Sequence, residues 1–197
     1  RQMCIRDRFR NLVVCFSCLL CLGIYHTVMR WYDRPCPSLV FYNVRGCPAI
    51  HCIAEDGTSW LNYADTLSDK RRLQAVAANY WRRHQLLPPI EVTADCQNVD
   101  FCRHQQIVFY HGCRICMVTD NRWRNKSAAS PLFINYMYLC KGYNGRLEEL
   151  TGLFSPSCIL LDASLSDDRK QFFREECKRL HLHFITLSEE GSVRFLL

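Results

Sequence analysis

From Leu12 to Met29 the chain runs eighteen residues without a formal charge (LVVCFSCLLCLGIYHTVM), and that stretch limits every reading of the rest. As a helix rising about 1.5 Å per residue it would reach roughly 27 Å, close to the roughly 30 Å hydrocarbon core of a bilayer. Ser17, Gly23, His26 and Thr27 are its interruptions. Arg10 precedes it, and Arg30, Trp31 and Tyr32 follow, the flanking charge and interfacial rings of a membrane boundary. A buried core helix is the alternative. A cleaved signal peptide would end in a small-residue A-x-A site, and none follows the run. Residues 10–32 therefore read as a transmembrane helix.

Met3 to Arg8 reads MCIRDR, which looks like the translation of a transposon mosaic-end adapter (ATG TGT ATA AGA GAC AG), and the chain begins with Arg. Residues 1–9 are accordingly read as an adapter-derived or disordered scar at the start of a fragment of a longer reading frame. That exclusion decides the charge argument. Counting everything, four arginines precede the apolar run and favour a cytoplasmic N-terminus; without Arg1, Arg6 and Arg8 only Arg10 remains, and charge assigns no orientation. The formal charge of +6 has the same origin, since six arginines against two aspartates in residues 1–34 supply +4 of it. The near-neutral remainder makes net charge a weak argument for a nucleic-acid surface.

A hydrophobic fraction of 49% with 12% aromatics excludes a disordered chain, and 197 residues suit one domain plus a span. The 14 cysteines are scattered, three of them inside the apolar run, which is not a secreted disulfide framework. Ten follow the span, where an oxidising compartment would permit pairing without specifying it. Residues 33–38, with Pro35 and Pro37, read as an extended linker, because a residue before proline is driven from helical geometry.

Beyond the linker, Leu39–Val44, Ala49–Ala54 and Thr58–Tyr63 are apolar runs joined by turn sequences, the pattern of a strand meander. Ser68 is placed to cap a helix with the apolar face Leu73, Val76, Ala77, Tyr80 and Trp81, ended by Pro88-Pro89. Ile107–Tyr110 and Arg114–Thr119 flank His111-Gly112 as a hairpin. From Phe133 strand and helix alternate: a strand over Phe133–Cys140, a turn at Asn144-Gly145, a short helix over Arg146–Phe154 closed by Pro156, and a buried strand over Cys158–Leu161. Ser166, followed by Asp167 and Asp168 at the positive dipole end, opens a helix that buries Phe172, Phe173, Cys177 and Leu180. Leu182–Leu187 and Ser192–Leu196 read as a closing hairpin around Glu189-Glu-Gly191. The fold class is α+β, or mixed α/β: a mixed sheet with helices packed on it.

Several constellations offer chemistry. Cys113-x-x-Cys116, preceded by His111, has zinc-knuckle or redox spacing, but it lies in an apolar strand where residues three apart face opposite ways. Cys15, Cys18 and Cys21 share a helical face as small packing residues. His181-Leu-His183 puts two imidazoles at strand spacing, compatible with metal ligation or with solvated rings. Asp120 and Asp162 each follow an apolar strand, where carboxylates often face a cleft; closing a turn or capping a helix is the plain alternative for Asp162 beside Ser164. Arg122, Trp123, Arg124 and Lys126 make a basic, aromatic loop able to touch phosphates or bases, with Lys141 a further candidate; a solvated loop is the plain alternative. No Gly-rich phosphate loop, G-x-S-x-G elbow or H-E-x-x-H is present.

The order of an apolar span, FYNVRGCPAIHCIAEDGTSWL and a C-terminal ILLDASLSDDRKQFFREECKRLHLHFITLSEEGSVRF resembles the end of a ComEC-type competence protein. The resemblance covers residues 10–197 and is clearest over 39–63 and 158–196. It implies a multi-pass inner-membrane channel for single-stranded DNA, whose last span is followed by a metallo-β-lactamase-like domain on the non-cytoplasmic side. The implied partners are the remainder of the channel polypeptide, the membrane and single-stranded DNA. The family's LDVGQGDA-like turn stands here as Tyr42-Asn-Val-Arg-Gly-Cys-Pro-Ala49, without its acidic position. Its H-x-H-x-D-H motif has only His84 across residues 64–89, and its H-H-G-S-like motif is Lys141-Gly-Tyr-Asn-Gly145. Ile115-Cys-Met-Val-Thr-Asp120 resembles the strand that ends in the bridging aspartate. The resemblance thus implies a reduced, degenerate lactamase-like domain over 39–197 with no cofactor, accessory rather than catalytic. The alternatives are a metal-dependent nuclease using Asp120, Asp162, His181 and His183, and a single-span protein whose domain binds a protein partner. Genomic sequence upstream of Asn11 separates these: the channel requires a frame continuing into many apolar spans, and a start codon near Arg10 removes it.

Overall fold

A computed structural model describes the backbone of residues 2–32, 36–63, 67–84 and 86–197, with side chains over 10–29, 36–63, 70–84 and 86–197. The chain divides into two units, Arg1–Arg34 and Pro35–Leu197. The first is a helix, α1 (Gln2–Tyr32), which runs through residues 2–9 that the sequence sets aside as a scar. Its Arg10–Met29 segment has a mean hydropathy of 2.1 and is long and apolar enough to cross a membrane. Within it the Thr27 hydroxyl donates to the Gly23 carbonyl at 2.8 Å, so that polar group is satisfied inside the helix. Half of the expected linker, residues 33–35, lies outside the described residues, and its last residue, Ser38, opens the first strand.

The second unit holds two mixed sheets, where the sequence suggests one. The first contains β1 (Ser38–Phe41), β2 (Ala49–Ile53), β3 (Ser59–Tyr63), β4 (Ile90–Val92) and β12 (Val193–Leu196), in the order β12-β1-β2-β3-β4. The second contains β5 (Cys96–Gln97), β6 (Phe101–His104), β7 (Ile107–Tyr110), β8 (Cys113–Val118), β9 (Leu132–Leu139), β10 (Phe154–Leu161) and β11 (Phe184–Thr186). Its order is β11-β10-β9-β8-β7-β6-β5, parallel from β8 to β11 and antiparallel from β5 to β8. Helices α2 (Leu67–Arg83), α3 (Leu147–Thr151), α4 (Asp167–Arg179) and α5 (Leu187–Glu190) complete the unit.

Alternation along the strands explains the layering. Leu39, Phe41, Ile50 and Cys52 point into one core with Ile115, Met117, Tyr138 and Leu160, so the two sheets face each other. Phe41 meets Tyr138 edge-on at 5.3 Å, and Trp60 stacks on Phe101 at 5.6 Å. The intervening residues Val40, Tyr42, Ala49 and Leu61 pack on Leu73 and Ala77 of α2. On the far side, Cys116, Val118, Met137, Leu139, Ile159 and Leu161 pack on Leu147 and Leu150 of α3 and on Phe173 and Cys177 of α4. Strands covered on both faces are apolar at most positions, with Ser38, His51, Ser59 and Asn62 as buried polar exceptions, which is why their sequences read as runs instead of alternations.

The α+β reading and the β1–β3 meander stand, three local expectations change, and one, the Ser68 cap, falls outside the described side chains. Val76 is 49% exposed, because α2 meets the sheet along the narrower Leu73–Ala77 line. Ser68 lies within α2, but its side chain is outside the described residues. The helix expected over Arg146–Phe154 stops at Thr151, and Pro156 sits inside β10. Proline is tolerated there because β11 pairs only with Ile159–Leu161, so the missing N–H interrupts no second ladder. The terminal hairpin does not form: β11 joins the seven-stranded sheet, α5 turns the chain, and β12 pairs with β1 in the other sheet. The hairpin at His111-Gly112 does form, with φ of 45° and 75°, as a tight turn matched to strand twist requires.

Behind the first sheet the Tyr42 hydroxyl lies 2.8 Å from His51 Nδ1, and Trp81 Nε1 donates to that hydroxyl at 3.0 Å. Burial lowers the His51 pKa from 6.5 to about 3. Below about pH 6.5 the unfolded chain therefore holds a proton that the folded domain refuses. Stability falls on that account by up to roughly 1.4 kcal/mol per pH unit until about pH 3, and is unaffected by it above pH 6.5. His51→Phe is expected to flatten this slope between about pH 6 and about pH 4 in urea titrations of the full chain in detergent. An unchanged slope would contradict the assignment.

Candidate functional site

Parallel strands β8, β9 and β10 end on one edge of the sandwich, and the loops that leave them are tied together. Cys140 N donates to Val118 O at 3.0 Å, and Asp162 N to Leu139 O at 3.0 Å. Lys141 N donates to Ser164 Oγ at 3.1 Å, and Asn144 N to Asn121 Oδ1 at 2.8 Å. Gly142 permits the closest approach: its φ is 115°, and a Cβ there would stand 2.2 Å from the Thr119 carbonyl oxygen. The carboxyl ends of parallel strands are where open sheets form ligand clefts.

This edge carries both candidate aspartates, each already engaged. Asp120 accepts from Arg122 through Nε at 3.0 Å, Nη2 at 2.8 Å and the backbone N at 2.9 Å. That guanidinium holds the Asp120 carboxyl below the usual range. Asp162 is fully buried; Tyr138 Oη donates to one oxygen and Ser164 N to the other at 2.7 Å. Burial raises the Asp162 pKa, and those hydrogen bonds pull against it.

The basic, aromatic loop is likewise folded onto its own neighbours. Arg124 Nε lies 3.4 Å from Glu149, and Lys126 sits 5.3 Å over the Trp123 ring. Trp123 packs edge-on against Phe154 at 5.0 Å and donates through Nε1 to Gln106 at 2.6 Å. Lys141 differs from the rest: its side chain lines two clefts at the strand ends.

The remaining candidates lie apart. His183 precedes β11, and its carbonyl accepts from Ile159 N at 2.9 Å, so it sits level with Cys158. Asp162 lies four positions beyond Cys158, roughly 13 Å at about 3.3 Å per strand residue. His183 Nδ1 instead lies 3.2 Å from Cys158 Sγ, while His181 is exposed in the turn after α4. Cys113 contacts the core between the sheets and Cys116 the core under α3 and α4, opposite faces of β8. Among the described residues no group of three His, Cys, Asp or Glu side chains could hold a metal ion. The binuclear centre of a lactamase-like domain therefore does not fit the donors on this edge.

What occupies the edge instead is cationic. One cleft of about 520 Å³ is lined by Arg45, Arg72, Lys141 and Arg169, with Gly142, Asn144 and Ser166. A second, of about 360 Å³, is lined by Asn62, Arg103, Thr119, Asp120 and Lys141. Arg45 comes from the β1–β2 turn, Arg72 from the solvent side of α2, and Arg169 from the first turns of α4. Sequence reasoning missed these arginines because they are far apart in the chain, and Arg45, although it lies in the stretch matched to the LDVGQGDA-like turn, is read there only for the acidic position that is absent. Arg169 anchors the floor, donating to Gly145 O at 2.9 Å and lying over Phe173 at 4.5 Å.

A family model described as the ComEC C-terminal domain matches residues 39–197. No curated protein and no solved structure matches. The geometry has its own check at Gly142. Gly142→Ala adds a methyl group against Thr119 O at a positive φ, and a loss of about 2–4 kcal/mol is expected in chemical denaturation. A loss below about 0.5 kcal/mol would mean that the loops approach less closely.

Proposed function

The chain belongs to the ComEC C-terminal domain family, and from that premise we propose that residues 39–197 form an accessory, non-catalytic domain at the mouth of a membrane DNA-uptake channel. Family membership gives the coarser statement, a part of a larger membrane protein with a role in DNA uptake. An apolar helix able to cross a membrane agrees with it. On this reading residues 10–32 anchor the chain, 33–38 link, and the domain is a reduced metallo-β-lactamase-like fold outside the cytoplasm at the inner membrane. Residues 1–9 play no part. The arrangement of helix, sheet, sheet and helices supports that kinship.

One observation carries the non-catalytic reading. The carboxylate best placed to bind a metal, Asp120, is closed by the Arg122 guanidinium, while cations line the neighbouring cleft. A catalytic metal centre needs several anionic or imidazole donors on one point, with an open position for water. This edge is built to hold an anionic strand and to leave it uncut, either guiding it or packing beside it on the channel.

The test is metal analysis and nuclease assay of the full chain in detergent, with zinc, manganese and magnesium supplied. Substoichiometric metal and no cleavage of single-stranded DNA above a buffer control are expected. Stoichiometric zinc or manganese with metal-dependent cleavage, lost in Asp120→Asn, would overturn the reading in favour of a nuclease using Asp120, Asp162, His181 and His183.

A further inference from the structure

We infer that the clefts at the strand ends form one continuous cationic track for the phosphodiester backbone of a single DNA strand, with Arg45, Arg72 and Lys141 as its principal contacts. The inference rests on the DNA-uptake reading and assigns that reading a surface.

Continuity comes from shared walls. Lys141 lines both clefts described above. A third, of about 370 Å³, shares Arg45, Leu165 and Ser166 with the cleft of about 520 Å³ and adds Lys170. Arg45, Arg72, Lys141 and Arg169 line the middle cleft, Arg103 extends the cationic lining on one side through Lys141, and Lys170, paired with Asp167, lies on the other beyond Arg45. A small anion needs convergence; a polyanion with regularly spaced phosphates needs a row.

The charge is available. Among the described residues the side chains of Arg45, Arg72 and Lys141 have no ion-pair partner, and all three are exposed. The two acidic side chains that line the track are each paired, Asp120 with Arg122 and Asp167 with Lys170. The basic, aromatic loop has the opposite property, since Arg122 and Arg124 are bound to Asp120 and Glu149.

The track also lacks a stacking platform. Tyr143 is the aromatic ring among its lining residues, and it is buried, with its hydroxyl donating to Arg146 O at 2.7 Å. Binding through phosphates alone reads no sequence and weakens steeply with salt.

The experiment follows fluorescence anisotropy of a labelled oligothymidylate with the full chain in phosphatidylcholine nanodiscs. Arg45→Ala, Arg72→Ala and Lys141→Ala combined are expected to weaken binding at least about tenfold near 0.1 M salt. They should also lower the salt slope by about 2, at roughly 0.7 for each phosphate that is no longer neutralised. Arg82→Ala, Arg83→Ala and Lys178→Ala combined remove as many charges away from the track and should leave binding unchanged. Thermal melting of both triple variants checks that the fold persists. Equal binding by the track variant and the parent overturns the track and leaves the DNA reading standing, whereas no binding by the parent overturns both. Phosphatidylglycerol vesicles that bind through the same three residues and resist displacement by the oligonucleotide would reassign the track to lipid headgroups.

Discussion

Phe41 packs edge-on against Tyr138 in the apolar core between the two sheets, and much of the strand-end edge follows from that contact. Tyr138 is fully buried, so its hydroxyl needs a partner inside the protein, and Asp162 accepts from it. The same carboxylate accepts from Ser164 N, and Ser164 Oγ in turn accepts from Lys141 N. An aromatic contact deep in the core thereby fixes the backbone on which an exposed lysine is carried. Rigid placement of that kind is what a surface needs if it is to bind an extended ligand without a large ordering entropy.

The edge shows how one scaffold position can serve different chemistry. Carboxyl ends of parallel strands converge by topology, whatever side chains they bear. Here the two acidic groups that arrive are neutralised or buried, Asp120 by Arg122 and Asp162 by Tyr138 and Ser164. Arginines from a turn and two helices then set the sign of the field. The result is a cationic surface that offers no cluster of metal donors among the described residues.

Much of the architecture was legible in the residues. The β1–β3 meander, the β7–β8 hairpin, β9, the Cys158–Leu161 half of β10 and α4 with its Ser166 cap all follow from local apolar patterning and cap chemistry. Three short strands, β4, β5 and β6, were not legible, because two to four residues carry no periodicity. The closing hairpin misled for another reason. Two apolar runs around Glu-Glu-Gly look alike whether they pair with each other or with distant strands, and only the shared core selects β10 and β1 as their partners.

The sequence by itself determined the uncharged span, the α+β class and, through resemblance confirmed by the family match, membership of a DNA-uptake family. These depend on composition and short-range order, which a chain carries wherever it folds. Tertiary structure alone decided which charges remain available at the strand-end edge. Arg122 and Arg124 stand beside Lys126 in sequence and read as a basic loop, yet each has a carboxylate to bind. Arg45, Arg72 and Lys141 are tens of residues apart and line one cleft. Pairing is a matter of distance in space, and Coulomb attraction falls with that distance and takes no account of separation along the chain.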